Sequence, residues 1–229
     1  MPSAYTSSYQ IRHAECDPHG RLGVAGLLVY LQDAAFGASA AVGYTAARYA
    51  KLGYHWFAYE TQLTLLHPLR YEQTVTVKTW IADFRRVRSL RCYEVTREGV
   101  LVAYGTTDWV FISAKTRGPI SIPPEVVAAY AEHTPTDVTP PPPVNFPPFP
   151  LGLPSEAYAM QHRVEWRDLD PAVHVNNAVY ADYALEAQRR GDAEAGMVVT
   201  PWVQRLHIEY KLAAHLDDVL TVTTWATAA

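Results

Sequence analysis

The sequence predicts an α+β protein made of two related modules joined by a proline-rich connector, and three observations predict it. Motifs recur in the same order on both sides of the chain's centre. Glu15-Cys16-Asp17-Pro18 is answered by Asp168-Leu169-Asp170-Pro171, and Val75-Thr-Val-Lys-Thr-Trp80 by Leu220-Thr-Val-Thr-Thr-Trp225. The acidic pairs lie 153 residues apart and the strand motifs 145, so a short deletion separates two copies of one plan. Nine of the 17 prolines fall between Pro135 and Pro154. Such a stretch neither continues a helix nor fits a central strand. It reads as a stiff linker, 133–157, between an N-terminal module, 1–132, and a C-terminal module, 158–229. Within each copy, a strand-like run leads into an acidic turn and then into helical spacing.

In the first copy a strand is expected at about Ser8–Ala14. Val24, Leu27, Leu28, Leu31, Ala34, Ala35 and Ala38 then recur at helical spacing, with Gly37 and Gly43 near the expected end. Strand-like runs follow at 56–66, 74–82, 89–98 and 100–113, with Arg97-Glu98-Gly99 as a hairpin signal. The helix must bury a broad apolar face against that sheet.

In the second copy, His162, Val164 and Trp166 alternate with Gln161, Arg163 and Glu165 like an edge strand. Asn176 or Asn177 suits a helix N-cap, and Val179, Tyr180, Tyr183, Ala184 and Ala187 form an apolar stripe. Glu186 and Arg190 form a favourable i,i+4 pair. Two strands are expected, at 203–212 and 219–226. Copy one runs on 33 residues past Trp80 to Ser113, whereas copy two has four residues after Trp225. The second module is therefore expected to be incomplete, with an open sheet edge.

Composition excludes several classes. With 49% hydrophobic and 18% charged residues the chain is ordinary globular material, and a net charge of −4 argues against nucleic acid as a partner. No apolar run approaches the roughly 20 residues of a membrane span, and the first residues have neither a basic nor an apolar leader segment. Cys16 and Cys92 make neither a disulfide framework nor a metal spacing, and the nine histidines show no ligand clustering. No cofactor or metal is called for, and a cytoplasmic location is expected.

The chemistry concentrates in Asp168-Leu-Asp-Pro-Ala-Val-His-Val-Asn-Asn177, which packs two carboxylates, an imidazole and two carboxamides into one run before a helix. That placement sets a carboxylate at a helix N-terminus, where backbone N–H groups polarise a carbonyl.

A strand, an Asp-x-Asp-x3-His-Val-Asn-Asn-x2-Tyr turn from Asp168 to Tyr180, a long helix and an antiparallel sheet resemble the hotdog fold of 4-hydroxybenzoyl-CoA thioesterase-type enzymes. The tandem layout resembles more closely the acyl-acyl-carrier-protein thioesterase family, with two hotdogs in one chain. Copy one carries Ile11-Arg12 with Glu15, Leu31-Gln32, Val75-x-Val-x-Thr-Trp80, Trp109-Val110 and Ile122-Pro-Pro-Glu-Val126. Copy two carries His174-Val-Asn-Asn177, Tyr180, Leu185-Glu186 and Glu209-Tyr210.

The resemblance covers about residues 8–225 and implies a double hotdog that hydrolyses fatty acyl thioesters. The acyl carrier protein is the expected carrier, and coenzyme A the alternative. A non-catalytic acyl-thioester-binding hotdog is a third reading. Self-association into a homodimer is one arrangement the fold permits. The chain departs from the family's pattern at three positions: Ala172 stands where an Asn is typical, and Ala213 and Ala214 where a Glu-Cys pair is typical.

A thioester carbonyl needs an electrophilic clamp and a nucleophile. Asp170, as direct nucleophile or as base on water, is expected to carry the reaction with His174 and Asn177. Asn176, Tyr180, Gln32 and Asp17 are expected to bind substrate. Asp17 holds the place of Asp170 in copy one, which lacks the His-Val-Asn-Asn block and is expected to supply the acyl pocket. Arg85, Arg86 and Arg88 suit an acidic carrier protein.

Overall fold

A computed structural model describes residues 4–131, 135, 139–143, 145–146, 152–197 and 202–226. Eleven of the 25 connector residues, 133, 134, 136–138, 144 and 147–151, lie outside the described residues. The chain divides into two compact units, one of residues 1–144 with 204–210, the other of 145–203 with 211–229.

The first unit is a long helix on an antiparallel sheet. Strands β1 (Tyr5–Gln10), β2 (Tyr54–Leu65), β3 (Thr74–Phe84), β4 (Arg88–Arg97) and β5 (Val100–Ser113) stand in the order β1-β3-β4-β5-β2. The Arg97-Glu98-Gly99 signal marks the β4–β5 hairpin, where Glu98 and Gly99 both take positive φ, 52° and 79°. Helix α1 (Val24–Ala41) packs on β1 and β3 and buries ten residues, from Val24 to Ser39. It is the one described helix with the length and apolarity of a membrane span. Gly37 lies inside it, not at its end. The Tyr5 ring packs on that residue so closely that any Cβ would collide with it. The helix stops at Val42, followed by Gly43 at φ 82°.

Two short helices were not legible in the periodicity: α2 (Ala46–Leu52), capped by the Thr45 side chain, and α3 (Pro124–Ala131). Tyr44 just before the first, Tyr49 within it, and Val126 and Tyr130 from the second close an aromatic cluster around the fully buried Phe111. The first strand ends at Gln10, and His13–Glu15 form a 3-10 turn where a strand was expected.

In the second unit, β6 (Tyr158–Arg163) pairs antiparallel with β8 (Val219–Thr224), and helix α4 (Val179–Glu194) packs on both. Val164, Val175, Tyr183 and Ala214 form its core. Trp166 belongs to a 3-10 turn and is exposed rather than strand-paired. The stripe on α4 is narrower than expected, since Ala184 is exposed while Ala181 and Ala187 are buried. Glu186 holds both Arg189 and Arg190 at 2.7 Å, and these partners, Arg189 first, pull its carboxyl down to about 2.

Strand β7 (Arg205–Glu209) does not pair with β6 or β8. It adds to the free side of β2, with Glu60 opposite Glu209 and Thr64 opposite Arg205, and so belongs to the first unit's sheet.

Candidate active site

The polar run from Asp168 folds as a 3-10 turn, a tight loop and a helix start. Asp168 is the strut beneath it. Its Oδ2 accepts hydrogen bonds from the Glu165 N–H at 2.8 Å and the Tyr183 hydroxyl at 2.7 Å, and His162 Nε2 stands 3.6 Å away. Burial pushes the Asp168 carboxyl up. The Glu165 N–H, the Tyr183 hydroxyl and His162 outweigh it, leaving the group below its ordinary value. The same contacts hold Tyr183 upward, burial first and Asp168 second.

The next turn holds Asp170 and His174. The Asp170 N–H donates to the His174 carbonyl at 2.9 Å, and the Val173 N–H to the Asp170 carbonyl at 2.9 Å. This closure forces Val173 to φ 63°, a conformation that costs a β-branched residue more than a glycine. Inside the loop, Asp170 Oδ1 accepts the Ala172 N–H at 2.8 Å and faces His174 Nδ1 at 3.7 Å. The two side chains are 14% and 12% exposed, so the pair is largely covered yet reachable. Asp170 Oδ2 accepts no hydrogen bond among the described residues.

His174 Nδ1 lies 3.1 Å from the Val175 carbonyl. A carbonyl can only accept, so that bond requires the proton on Nδ1. In the neutral ring Nε2 then carries the lone pair.

Asn176 is not the N-cap residue. Ala178 is, without side-chain capping. Asn176 folds the chain just ahead of it, its Oδ1 accepting the Ala178 N–H at 2.9 Å and its carbonyl the Val179 N–H at 2.9 Å. Asn177 follows at the mouth of α4. The Tyr180 hydroxyl accepts the Ala214 N–H at 3.0 Å. Burial lifts the Tyr180 phenol, the Ala214 bond opposes this, and the charges of Asp218 and Asp170 add to the rise. Asp170, His174 and Tyr180 therefore share one neighbourhood. Gln32 and Asp17 stand in the first unit, Gln32 half-buried on α1.

The first copy repeats this wiring at a constant offset of 153. Its Asp17 N–H bonds the Arg21 carbonyl, its Gly20 N–H bonds the Asp17 carbonyl, and its Tyr30 hydroxyl bonds Glu15 as Tyr183 bonds Asp168. The difference lies at the fifth turn position. Arg21 stands where His174 stands, and its Nε and Nη2 both reach Asp17 Oδ2 at 2.8 Å. Burial raises the Asp17 carboxyl, but hydrogen bonds from Arg21 and His19 bring it below its ordinary value. A carboxylate held this way is a poor base and a poor nucleophile. Sequence reasoning missed Arg21, and the 153-residue offset was the signal that would have found it.

Family models agree with this arrangement. The acyl-ACP thioesterase N-terminal domain matches residues 2–130 and the acyl-ACP thioesterase C-terminal domain residues 153–228. The chain belongs to the acyl-ACP thioesterase family. As a member of it, this thioesterase is a thioester hydrolase acting on fatty acyl thioesters. No curated protein sequence matches it significantly.

Among solved structures it is similar to a Lactobacillus plantarum protein described as an oleoyl thioesterase, with TM-score 0.82 and 23% identity over 97% of this chain and 84% of that one. It is also similar to the 12:0-ACP thioesterase of Umbellularia californica, with TM-score 0.80 and 20% identity over 98% and 88%. A single-hotdog DHNA-CoA thioesterase from Staphylococcus aureus matches 56% of this chain and 88% of its own, at 25% identity and TM-score 0.52. These likenesses show the tandem hotdog fold.

In this thioesterase two of the three departures have definite surroundings. Ala172 offers Asp170 its backbone N–H, and Ala214 offers backbone groups to Tyr180 and Val175. Among the basic residues expected at a carrier surface, Arg85 and Arg86 are exposed, with Arg85 3.0 Å from Asp83. Arg88 is half-buried, paired with Asp108 at 3.0 Å and stacked 3.9 Å from the Tyr59 ring centre. Among the described residues no group of three His, Cys, Asp or Glu side chains could hold a metal ion.

Proposed function

We propose that this thioesterase hydrolyses fatty acyl-ACP at the Asp170–His174 turn. The observation that carries the reading is the covered carboxylate–imidazole pair, 3.7 Å apart, at the entry to α4 with Asp170 Oδ2 uncommitted. Asp170 Oδ2 takes a proton from the water that attacks the thioester carbon, or attacks that carbon itself, expelling the thiolate and forming an acyl anhydride that water then hydrolyses back to the free Asp170 carboxylate. His174, 3.7 Å from Asp170, positions the carboxylate, and the proton that Asp170 takes from water is the one returned to the departing thiolate. The dipole of α4 favours the developing oxyanion at its N-terminus. Asn177, Asn176 and Tyr180 bind substrate beside this turn. Copy one, with Asp17 clamped by Arg21, binds rather than cleaves, and Gln32 lines its helix.

The family's carrier supports acyl-ACP over acyl-CoA, and Arg85 and Arg86 at the β3–β4 turn suit an acidic carrier. Arg88 is already shared between Asp108 and Tyr59, so a carrier contact through it would compete with that pair. The same reading places the enzyme at the release step of fatty acid synthesis in the cytoplasm, supported by two unpaired cysteines.

Thioester hydrolysis by wild type against Asp170→Asn is the test. Asp170→Asn is expected to lower kcat at least a hundredfold, in keeping with the weight of a positioned acid–base group. Equal turnover would remove the site assignment, and saturable binding without turnover in wild type would remove the enzyme reading for this turn. Arg85→Ala/Arg86→Ala is expected to raise KM for acyl-ACP several-fold at low salt and leave acyl-CoA kinetics unchanged.

A further inference from the structure

Arg91 lies on β4 of the first unit and is 5% exposed. Its side chain makes one hydrogen bond, from Nη1 to Thr79 Oγ1 at 3.3 Å, and stands 5.7 Å from the Tyr130 ring centre. No carboxylate of the described residues forms an ion pair with it. Arg88, three positions earlier, shows the usual solution in its bond to Asp108. A guanidinium so largely covered and without a counter-charge is costly.

Beside Arg91 the structure leaves a cavity of about 10 Å³, bounded also by Thr79, Tyr5, Ala38, Ala41 and Tyr130. That is room for one water-sized or halide-sized occupant. The Thr79 hydroxyl donates to the Cys92 carbonyl at 2.8 Å, so towards Arg91 it can only accept, and it fixes the plane of the guanidinium. A water molecule would satisfy N–H groups but leave the charge uncompensated, whereas an anion does both.

We propose that this cavity is a binding site for a single halide ion, with Arg91 as its ligand. The site belongs to the first unit alone and does not depend on the assignment of Asp170.

The full chain is tested by thermal unfolding in sodium chloride exchanged against sodium gluconate at fixed ionic strength, gluconate being too bulky for the cavity. Wild type is expected to gain about 4 °C in Tm, saturably, between no chloride and ten times the half-saturating concentration. Arg91→Met is expected to lose this dependence and Arg91→Lys to keep a weaker one. Bromide-soaked crystals of wild type are expected to show an anomalous peak at the guanidinium. An Arg91→Met protein that responds to chloride like wild type overturns the proposal, as does a wild type with no anion-specific response. Should Arg91→Met fail to fold, the bromide peak and the Arg91→Lys series decide.

Discussion

Val173 is held at φ 63° in the loop that places Asp170 beside His174, and the matching residue in the first copy is Gly20 at φ 70°. The second copy thus meets with a β-branched residue a conformation that the first meets with glycine. Val173 is 64% exposed, so little burial offsets the strain. Val173→Gly is expected to stabilise the protein by about 0.5–1 kcal/mol, the left-handed penalty less the extra chain entropy of glycine. Urea unfolding would measure it, and a loss of stability would refute the strain account. Position 21 against position 174 gives a second contrast. Asp17→Asn is expected to leave kcat within about twofold of wild type, because Arg21 already commits that carboxylate, whereas Asp170→Asn removes turnover. A large kcat loss in Asp17→Asn would show that the first copy takes part in the chemistry.

The 3-10 turns and the long helices are joined by one repeated device, a tyrosine on the helix bonded to an acid on the turn: Tyr30 to Glu15 and Tyr183 to Asp168. Removing the Asp168 carboxylate leaves a backbone N–H and a phenol without their acceptor, so Asp168→Ala is expected to cost about 2 kcal/mol. Asp168 and Asp17 both have carboxyl groups held below their unfolded values. Their contribution is therefore complete above a pH of about 4 and is lost as pH falls through the lowered folded-state values. Unfolding curves between pH 6 and pH 3 should show wild-type stability falling at the acidic end and Asp168→Asn falling less.

The sequence made the strands of the first unit legible because alternation and hairpin glycines are local signals, as at Arg97–Gly99. It singled out Asp170 and His174 because a dense polar run before a helix is a local signal, and the structure places the two side chains 3.7 Å apart. It did not reveal the Tyr183–Asp168 bond, since one phenol on an apolar stripe reads as core. The short helices α2 and α3 were hidden too, because seven or eight residues hold too few turns to show a period. Nor did it show that Gly37 makes way for Tyr5, a contact between residues 32 positions apart.

At the scale of the whole molecule, β7 is the element whose place no local pattern announced. Its five residues read as a strand of the second module, yet they hydrogen-bond to β2 in the first unit's sheet. Ile208, opposite Thr61, is a central rung of that ladder. Ile208→Pro is expected to cost about 3 kcal/mol or more by breaking the ladder, and to make the protein prone to self-association. Size-exclusion chromatography with light scattering would detect the change, and a monodisperse, equally stable variant would refute the importance of this pairing. The order of synthesis gives the pairing a further meaning. The first five strands are complete once Ser113 has been made, but the strand that covers β2 ends at Glu209, 96 residues later. At roughly 5–20 residues per second the ribosome needs about 5–20 s to cross that interval. For that time each nascent chain carries a sticky seam on its newborn half, and neighbouring chains on one messenger are positioned to zip together through it. Slow translation of the intervening stretch would thus lower the yield of folded enzyme without altering a single residue.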